Sequence, residues 1–436
     1  MSGAVAAHAA YNGSGTQGLA VTNKIQDQEG DVMSVFWNKN DTTRQLLHGS
    51  TILEVPASGG SGNVSNWNST QIFDINNDID CLGDMYLELS LDGEGVTPGT
   101  DNFYFQAQTM ATFIQRVEFQ VGTQIWQTLE NQDIMGLAAT EMSEGVYREF
   151  SNQISGRFLM DGTALTSSYA GQLFTDDPGA ASNHLNRAAY IPLKMFTKSI
   201  APELQHYSEK VEGGYLMAAA PNQQVKIKVF IGDQPNYTGP GSPAATNLLG
   251  DADLKLNVRL YAKNIVMCNE EREQMKAMPM GIPKRIKTTQ NASANVSAQK
   301  GVQVIDIDHF SLYASHLLIT FPKALYSQID GIELLLNSSS FSGELPTSLL
   351  EIISSSMNLY NNNYIANGED VDKYDTIVFP LASRAYSGSA VPLNRFDNIR
   401  LKIRLASASQ SGQFNITCVG ETTALYKGGA ASLAMY

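Results

Sequence analysis

The side chains in this sequence whose types could do chemistry are six histidines, three cysteines and a few closely set carboxylates. His8, His48, His184, His206, His309 and His316 form no HExxH pair, and none stands at zinc-ligand spacing from a cysteine. His309 and His316 flank a strand-like stretch, which reads as an ordinary polar edge rather than a metal pair. Asp74-Ile75-Asn76-Asn77-Asp78-Ile79-Asp80 starts like a calcium loop, with oxygen ligands at alternate positions. Such a loop needs glycine at its sixth position and glutamate at its twelfth, where Ile79 and Met85 stand, so it reads as an acceptor-rich strand edge and turn. Glu270, Glu271 and Glu273 fall on a short charged helix, whose solvated face explains them. Gly59-Gly60-Ser61-Gly62 and Gly428-Gly429 match no phosphate-cradling spacing, and Gly388-Ser389 is no nucleophile elbow. The expectation is no enzyme, no metal and no cofactor.

The elements that would have to position a site are strands. Met85 to Leu91 and Phe113 to Val121 alternate two faces, as half-buried strands do. Val225/Ile227/Val229/Ile231 alternate with Lys226/Lys228, and Leu254/Leu256/Val258/Leu260 with Lys255/Asn257/Arg259, the pattern of antiparallel sheets with one wet face. Ile52–Val55, Tyr190–Leu193, Gln303–Ile307, Leu317–Phe321, Ile329–Leu336, Thr376–Leu381, Ile399–Leu405 and Phe414–Val419 continue the series. Helical period is scarce and confined to three connectors. These are Gln132–Met142, Glu270–Met278, and Ser348–Leu359 with a capping box at Ser348-x-x-Glu351. Two long loops, Ser151–Arg187 and Gly232–Asp251, exceed what a hairpin needs.

The 436 residues suffice for two domains, and 43% hydrophobic against 17% charged residues excludes intrinsic disorder. The formal net charge of −14 argues against a nucleic-acid coat or a polybasic membrane binder, which need surplus cations. Cys81, Cys268 and Cys418 lie far apart with no CxxC pair, which reads as reduced, packed thiols from an intracellular assembly site. The first residues have no basic stretch followed by an apolar one, and no apolar run is long enough to cross a membrane as a helix, so a soluble protein is expected. The strand pattern predicts an all-β fold of two sandwiches or jelly rolls with short connecting helices and long loops. The expected divisions are an N-terminal arm over 1–31, a first jelly roll over 32–268, a linker helix and proline-rich link over 269–283, and a second jelly roll over 284–436.

Several stretches, in one order, resemble the double jelly-roll major capsid proteins of nucleocytoplasmic large DNA viruses of the iridovirus and chlorella virus type. Phe73-Asp74-Ile75 with Gly83-Asp84 and the strand Tyr86–Leu91 is similar to an early passage of that family. Ile114–Val121 followed by Gly122-Thr123-Gln124-Ile125 resembles its strand–turn–strand–helix unit, and Tyr190-Ile191-Pro192-Leu193 its Val-Pro-Leu strand. Ala262 to Arg272 resembles the strand and Glu-Arg helix that close its first jelly roll. Phe379-Pro380-Leu381 with Asn394-Arg395-Phe396-Asp397-Asn398 is similar to a late motif, with Asn394 where the family has Ser. The small-residue ending Gly428–Tyr436 is like the family's as well. Tyr215–Ala219 departs from it, following an insertion at Gln205–Gly213, and the arm matches nothing in it.

The resemblance implies an all-β fold of two consecutive eight-stranded antiparallel jelly rolls (a double jelly roll), and a major capsid protein that trimerises into pseudo-hexagonal capsomers and builds the icosahedral outer shell of a large double-stranded DNA virus. Its implied partners are itself, neighbouring capsomers, penton and minor capsid proteins and, through other proteins, an internal membrane, with no direct contact to nucleic acid. Its implied place is the virion capsid, after assembly in the host cytoplasm. Glu270, Glu271, Arg272, Asn394, Arg395, Asp397 and Asn398 are the structural or interface candidates; for Arg395 and Asp397 a turn clasp within one subunit weighs equally with an interface role. The alternatives are a minor capsomer or scaffold protein of the same fold, or a β-sandwich carbohydrate-binding module. The last would need exposed tryptophan platforms, and the only tryptophans are Trp37, Trp67 and Trp126.

Overall fold

A computed structural model describes residues 49–58, 64–75, 78–94, 113–154, 189–193, 215–233, 253–266, 269, 272–273, 282–296, 300–357, 359–360, 374–382, 385, 390–406 and 412–434. The expected arm, the body of both long loops, Cys268 and most of the linker helix lie outside them. The first half holds β1 (Gly49–Val55), β2 (Val64–Ser65), β3 (Thr70–Ile75), β4 (Cys81–Glu94), β5 (Ile114–Val121), β6 (Gln124–Glu130), β7 (Ala189–Leu193), β8 (Val225–Ile231) and β9 (Asp253–Val266). Two helices, α1 (Asn131–Glu141) and α2 (Glu144–Ile154), lie between β6 and β7. The second half holds β10 (Ile282–Val296), β11 (Gly301–Asp306), β12 (Tyr313–Pro322), β13 (Ile329–Leu336), β14 (Ser339–Ser340), β15 (Leu345–Pro346), β16 (Tyr374–Pro380), β17 (Val391–Pro392), β18 (Ile399–Leu405), β19 (Gly412–Lys427) and β20 (Ala430–Ala434). Helix α3 (Thr347–Ser356) lies between β15 and β16.

Two strand orders recur. The first half forms the sheets β1-β9-β4-β7 and β3-β8-β5-β6, and the second forms β10-β19-β12-β16 and β11-β18-β13-β14, all antiparallel. Leaving out the two-residue side strands β2, β15 and β17 and the terminal β20, each half numbers its strands one to eight. Its sheets then read one-eight-three-six and two-seven-four-five, the paired Greek keys of a jelly roll. The predicted fold class is the observed one.

Alternation explains why these residues make these sheets. In β8 every second residue from Val225 to Ile231 is buried, while Lys226 and Lys228 stand half exposed. In β18, Ile399, Leu401, Ile403 and Leu405 face the core, and Arg400, Lys402 and Arg404 face out. Each outward cation meets an acid on an adjacent strand, with Arg400 on Asp306 at 2.7 Å and Lys402 on Glu333 at 3.2 Å.

Strands β12 and β16 break this pattern, because they are buried on both faces. Leu317, Ile319 and Phe321 enter the core of the second sandwich, whereas Leu318 joins the core of the first. That sharing, with Val378, Val419 and Tyr426, binds the halves into one body. Tyr426 lies against Tyr215, ring centroids 5.5 Å apart, and its hydroxyl oxygen accepts the Leu216 N–H at 3.2 Å. The hairpin beyond it turns at Gly428 and Gly429, both at positive φ, and a Cβ on Gly429 would stand 2.5 Å from Asn222 Nδ2.

The Gln132–Met142 helix is a buried connector: Ile134, Met135 and Leu137 are buried, and it packs between the sandwiches. Two expectations are corrected. The capping box expected at Ser348 does not form, since α3 starts after Pro346 without a side-chain cap; a proline at the entry supplies the φ a helix start needs. At α1, by contrast, the Glu130 N–H donates to Asp133 Oδ2 at 2.7 Å. The span expected as loop from Ser151 begins inside a helix, because α2 runs on to Ile154 and seats Tyr147, Phe150 and Ile154 in the first core.

Candidate functional site

The chemistry-bearing residues disperse. His309 accepts no metal partner among the described residues; its ring Nε2 lies 2.9 Å from the Asn291 carbonyl. His316 is fully buried on β12, so the polar-edge reading fails there: its face of the sheet is covered by α1. Asp74 lies on β3, where it meets Lys226 at 3.4 Å, while Asp80 precedes β4 and meets Arg272 at 2.5 Å. Among the described residues no group of three His, Cys, Asp or Glu side chains is placed to hold a metal.

What the chain does bring together is a buried polar seam between the two sandwiches. Strand β6 runs beside β10, with Gln127 Nε2 donating to Thr289 Oγ1 at 2.7 Å. Helix α1, continuing from β6, lies on the outer face of β10-β19-β12-β16. It approaches closely at Gly136, where a Cβ would stand 2.5 Å from Thr320 Oγ1; that hydroxyl already contacts Thr376 Oγ1 at 3.1 Å.

At the start of α1, the Asp133 carboxylate is wholly buried and gathers four donors. Asn415 Nδ2 at 2.6 Å and the Thr417 hydroxyl reach Oδ1; the Glu130 N–H and Asn291 Nδ2 reach Oδ2. Burial drives its pKa up from 3.8 to about 7, against the lowering effect of the Thr417 hydrogen bond. At the far end, Lys287 of β10 pairs with Glu141, both side chains essentially without solvent contact. Removing one partner of such a pair strands a buried charge, at a cost of about 3–5 kcal/mol. His316 feels both charges, and burial lowers its pKa to about 3, so the ring stays neutral. The Ser315 hydroxyl lies 2.7 Å from its Nδ1.

The expected anchor residues occupy two other places. Glu270 and Glu271 lie outside the described residues, and Arg272, in the helical stretch after β9, holds the carboxylate of Asp80. The Asp80 N–H donates to Asn264 Oδ1 at 3.2 Å, and Arg272 ties the turn after β9 to the β4 entry. Asn394 and Arg395 lie exposed in a short 3-10 turn, and the backbone N–H groups of Asp397 and Asn398 donate to Asn337 Oδ1 at 3.0 and 3.3 Å. Asn337 sits at φ 50 in the β13–β14 hairpin, and its own N–H donates to the Asn398 carbonyl. Asn337 thus holds the backbone of this turn from within the subunit. Sequence reasoning missed Asp133, Glu141 and Lys287, and placed His316 on a polar edge. No local signal marks them: Lys287 stands among Lys284, Arg285 and Gln290, and Asp133 follows Asn131 and Gln132.

No protein-family model and no curated protein matches the chain by sequence. Solved structures do match by shape. VP54 of the virus PBCV-1, fitted into a reconstruction of the virophage Sputnik, has a TM-score of 0.63 at 12% identity, over 91% of this chain and 99% of its own. A quasi-atomic model of the PBCV-1 capsid has a TM-score of 0.62 at 13% identity, over 91% and 99%. The Faustovirus major capsid protein has a TM-score of 0.60 at 10% identity, over 94% and 97%. The chain therefore has the fold of the double jelly-roll major capsid proteins.

Proposed function

We propose that this protein is a major capsid protein that trimerises into pseudo-hexagonal capsomers of an icosahedral shell. The observation that carries the reading is the repetition of one eight-strand order twice in a single chain, joined side by side through a seam of fixed polar contacts. Two like blocks per chain make six per trimer, and a head-to-tail contact that closes into a ring leaves no block unsatisfied. The capsid proteins of similar shape support the same role. On this reading the work is mechanical, the protein is not an enzyme, and its place is the virion after assembly in the host cytoplasm. Its partners are its own copies, neighbouring capsomers, penton and minor capsid proteins and, through these, an internal membrane. A net charge of −14 leaves the genome to other proteins.

The divisions at 1–31, 32–268, 269–283 and 284–436 are proposed as arm, first roll, link and second roll. Glu270, Glu271 and Arg272 are proposed to hold the link, and Asn394, Arg395, Asp397 and Asn398 to shape a turn that neighbours read. Light scattering after size-exclusion chromatography tests the assembly. A species of about three times 47.4 kDa that resists dilution is expected. A well-folded monomer at high concentration would sink the proposal.

A further inference from the structure

Lys287 stands where an amine is seldom left. Its side chain on β10 has no solvent contact, and it touches the Glu141 carboxylate of α1, which has almost none. The two residues lie 146 positions apart, one in each half of the chain. A second carboxylate faces the same amine. Glu421 is directly opposite Lys287 in the β10–β19 register, so both side chains leave the sheet on one face. Thr417 of β19 shares that face by the two-residue period of a strand, and it meets Asp133, so this is the side that α1 covers. His316, in register with Val419 on the neighbouring strand β12, feels the charges of both Lys287 and Glu141.

Keeping two opposite charges in such a place is costly, because each ion taken out of water forfeits solvation that its partner only partly restores. A proton moved along the contact, from ammonium to carboxylate, leaves an amine against a carboxylic acid. These are the two reactants of an amide bond. In water their condensation runs backwards. In a site that excludes water, the release of a water molecule and the loss of both charges favour it. Holding the two groups in contact also removes the entropic cost of bringing them together.

We propose that Lys287 and Glu141 condense after folding into an isopeptide bond that joins the two sandwiches covalently. The Lys287 Nζ lone pair adds to Glu141 Cδ, giving a tetrahedral adduct with a protonated nitrogen. That nitrogen gives up one proton, which passes by way of the Glu421 carboxylate to the hydroxyl of the adduct. The hydroxyl leaves as water and the carbonyl re-forms, so the step balances with no oxidant or co-reactant. The product is a neutral amide, and the chain between residues 141 and 287 becomes a closed loop. The bond is a property of the single chain and does not depend on the capsid reading.

Intact mass spectrometry of the full chain, folded first and then denatured for the measurement, tests this. Wild type is expected one water lighter than its composition, and its tryptic digest to hold a branched peptide that links the Glu141 and Lys287 segments. Lys287→Arg keeps a cation in place without an amine to acylate, and is expected at its full mass. Lys287→Met with Glu141→Leu removes both charges together, and is expected to fold, by circular dichroism, and to keep its full mass as well. Glu421→Gln, at a half-exposed position, is expected to slow the loss of water in freshly synthesised chain by about a hundredfold or more. A folded wild-type chain at full mass overturns the inference, as does a water lost at another site, such as an aspartyl succinimide. A branch at Glu421 in place of Glu141 overturns the joining of the two halves. An unchanged rate in Glu421→Gln overturns the proton relay.

Discussion

Asp133 and His316 are buried at the same seam with opposite electrical habits. A carboxyl whose pKa rises from 3.8 to about 7 on folding holds its proton more tightly when folded. Its contribution to stability is therefore complete below about pH 4, falls as pH rises toward 7, and is level above. His316, lowered from 6.5 to about 3, is penalised in the other direction: its contribution is whole above about pH 6.5 and is lost as pH falls toward 3. Between roughly pH 4 and 6.5 the two slopes oppose each other, each worth up to about 1.4 kcal/mol per pH unit. Single variants should separate them. With His316→Gln, the melting temperature should drop more steeply than wild type as pH rises through that window. With Asp133→Asn, it should drop more steeply as pH falls. Thermal melts from pH 4 to 8 decide; parallel profiles for the two variants would refute the assignment. The asparagine also turns a donor toward the four donors of that site, so a loss of about 1–3 kcal/mol should accompany the changed slope.

At the scale of elements, α1 is held by closeness as much as by charge. Alanine in place of Gly136 would ordinarily favour a helix by about 1 kcal/mol. Here its Cβ would meet the Thr320 hydroxyl at 2.5 Å, on a β-branched side chain with little freedom to turn away. Gly136→Ala should therefore destabilise by about 1–3 kcal/mol, and adding Thr320→Ala should restore most of it; chemical denaturation of the two variants measures both. A single variant as stable as wild type would show that the helix can lift off the sheet.

The same contact explains what the sequence could and could not convey. Strands β8 and β18 are legible almost to the residue, because one wet face imposes strict alternation. Strand β10 is not: no strand is named over 282–296 in the sequence pattern, yet these residues pair along their whole length with β19, and Lys287, Thr289 and Asn291 turn polar atoms into the seam. The helix of residues 131–141 is visible by its period, but its partner sheet lies more than 140 residues away in the chain, beyond the reach of any local pattern. The clasp on Asp397 and Asn398 has the same limit, since its acceptor, Asn337, comes from a hairpin that neither residue's neighbourhood announces.

The whole molecule behaves as one body, because the first core takes Leu318, Val378, Val419 and Tyr426 from the second sandwich. Separate melting of the halves would expose Asp133 and the Lys287–Glu141 pair to each half alone, so a single cooperative transition is expected in calorimetry. Two resolved peaks would show that the seam does not couple the two halves in the isolated chain. The order in which the chain emerges adds a demand of a different kind. Helix α1 leaves the ribosome long before β19, which supplies Asn415 and Thr417 to its carboxylate. At translation speeds of about 5–20 residues per second, the delay is on the order of a quarter of a minute to a minute. Until β10 and β19 emerge, the second-half groups that meet Asp133 and Glu141 in the folded chain are not yet made, and water solvates the two carboxylates in their place.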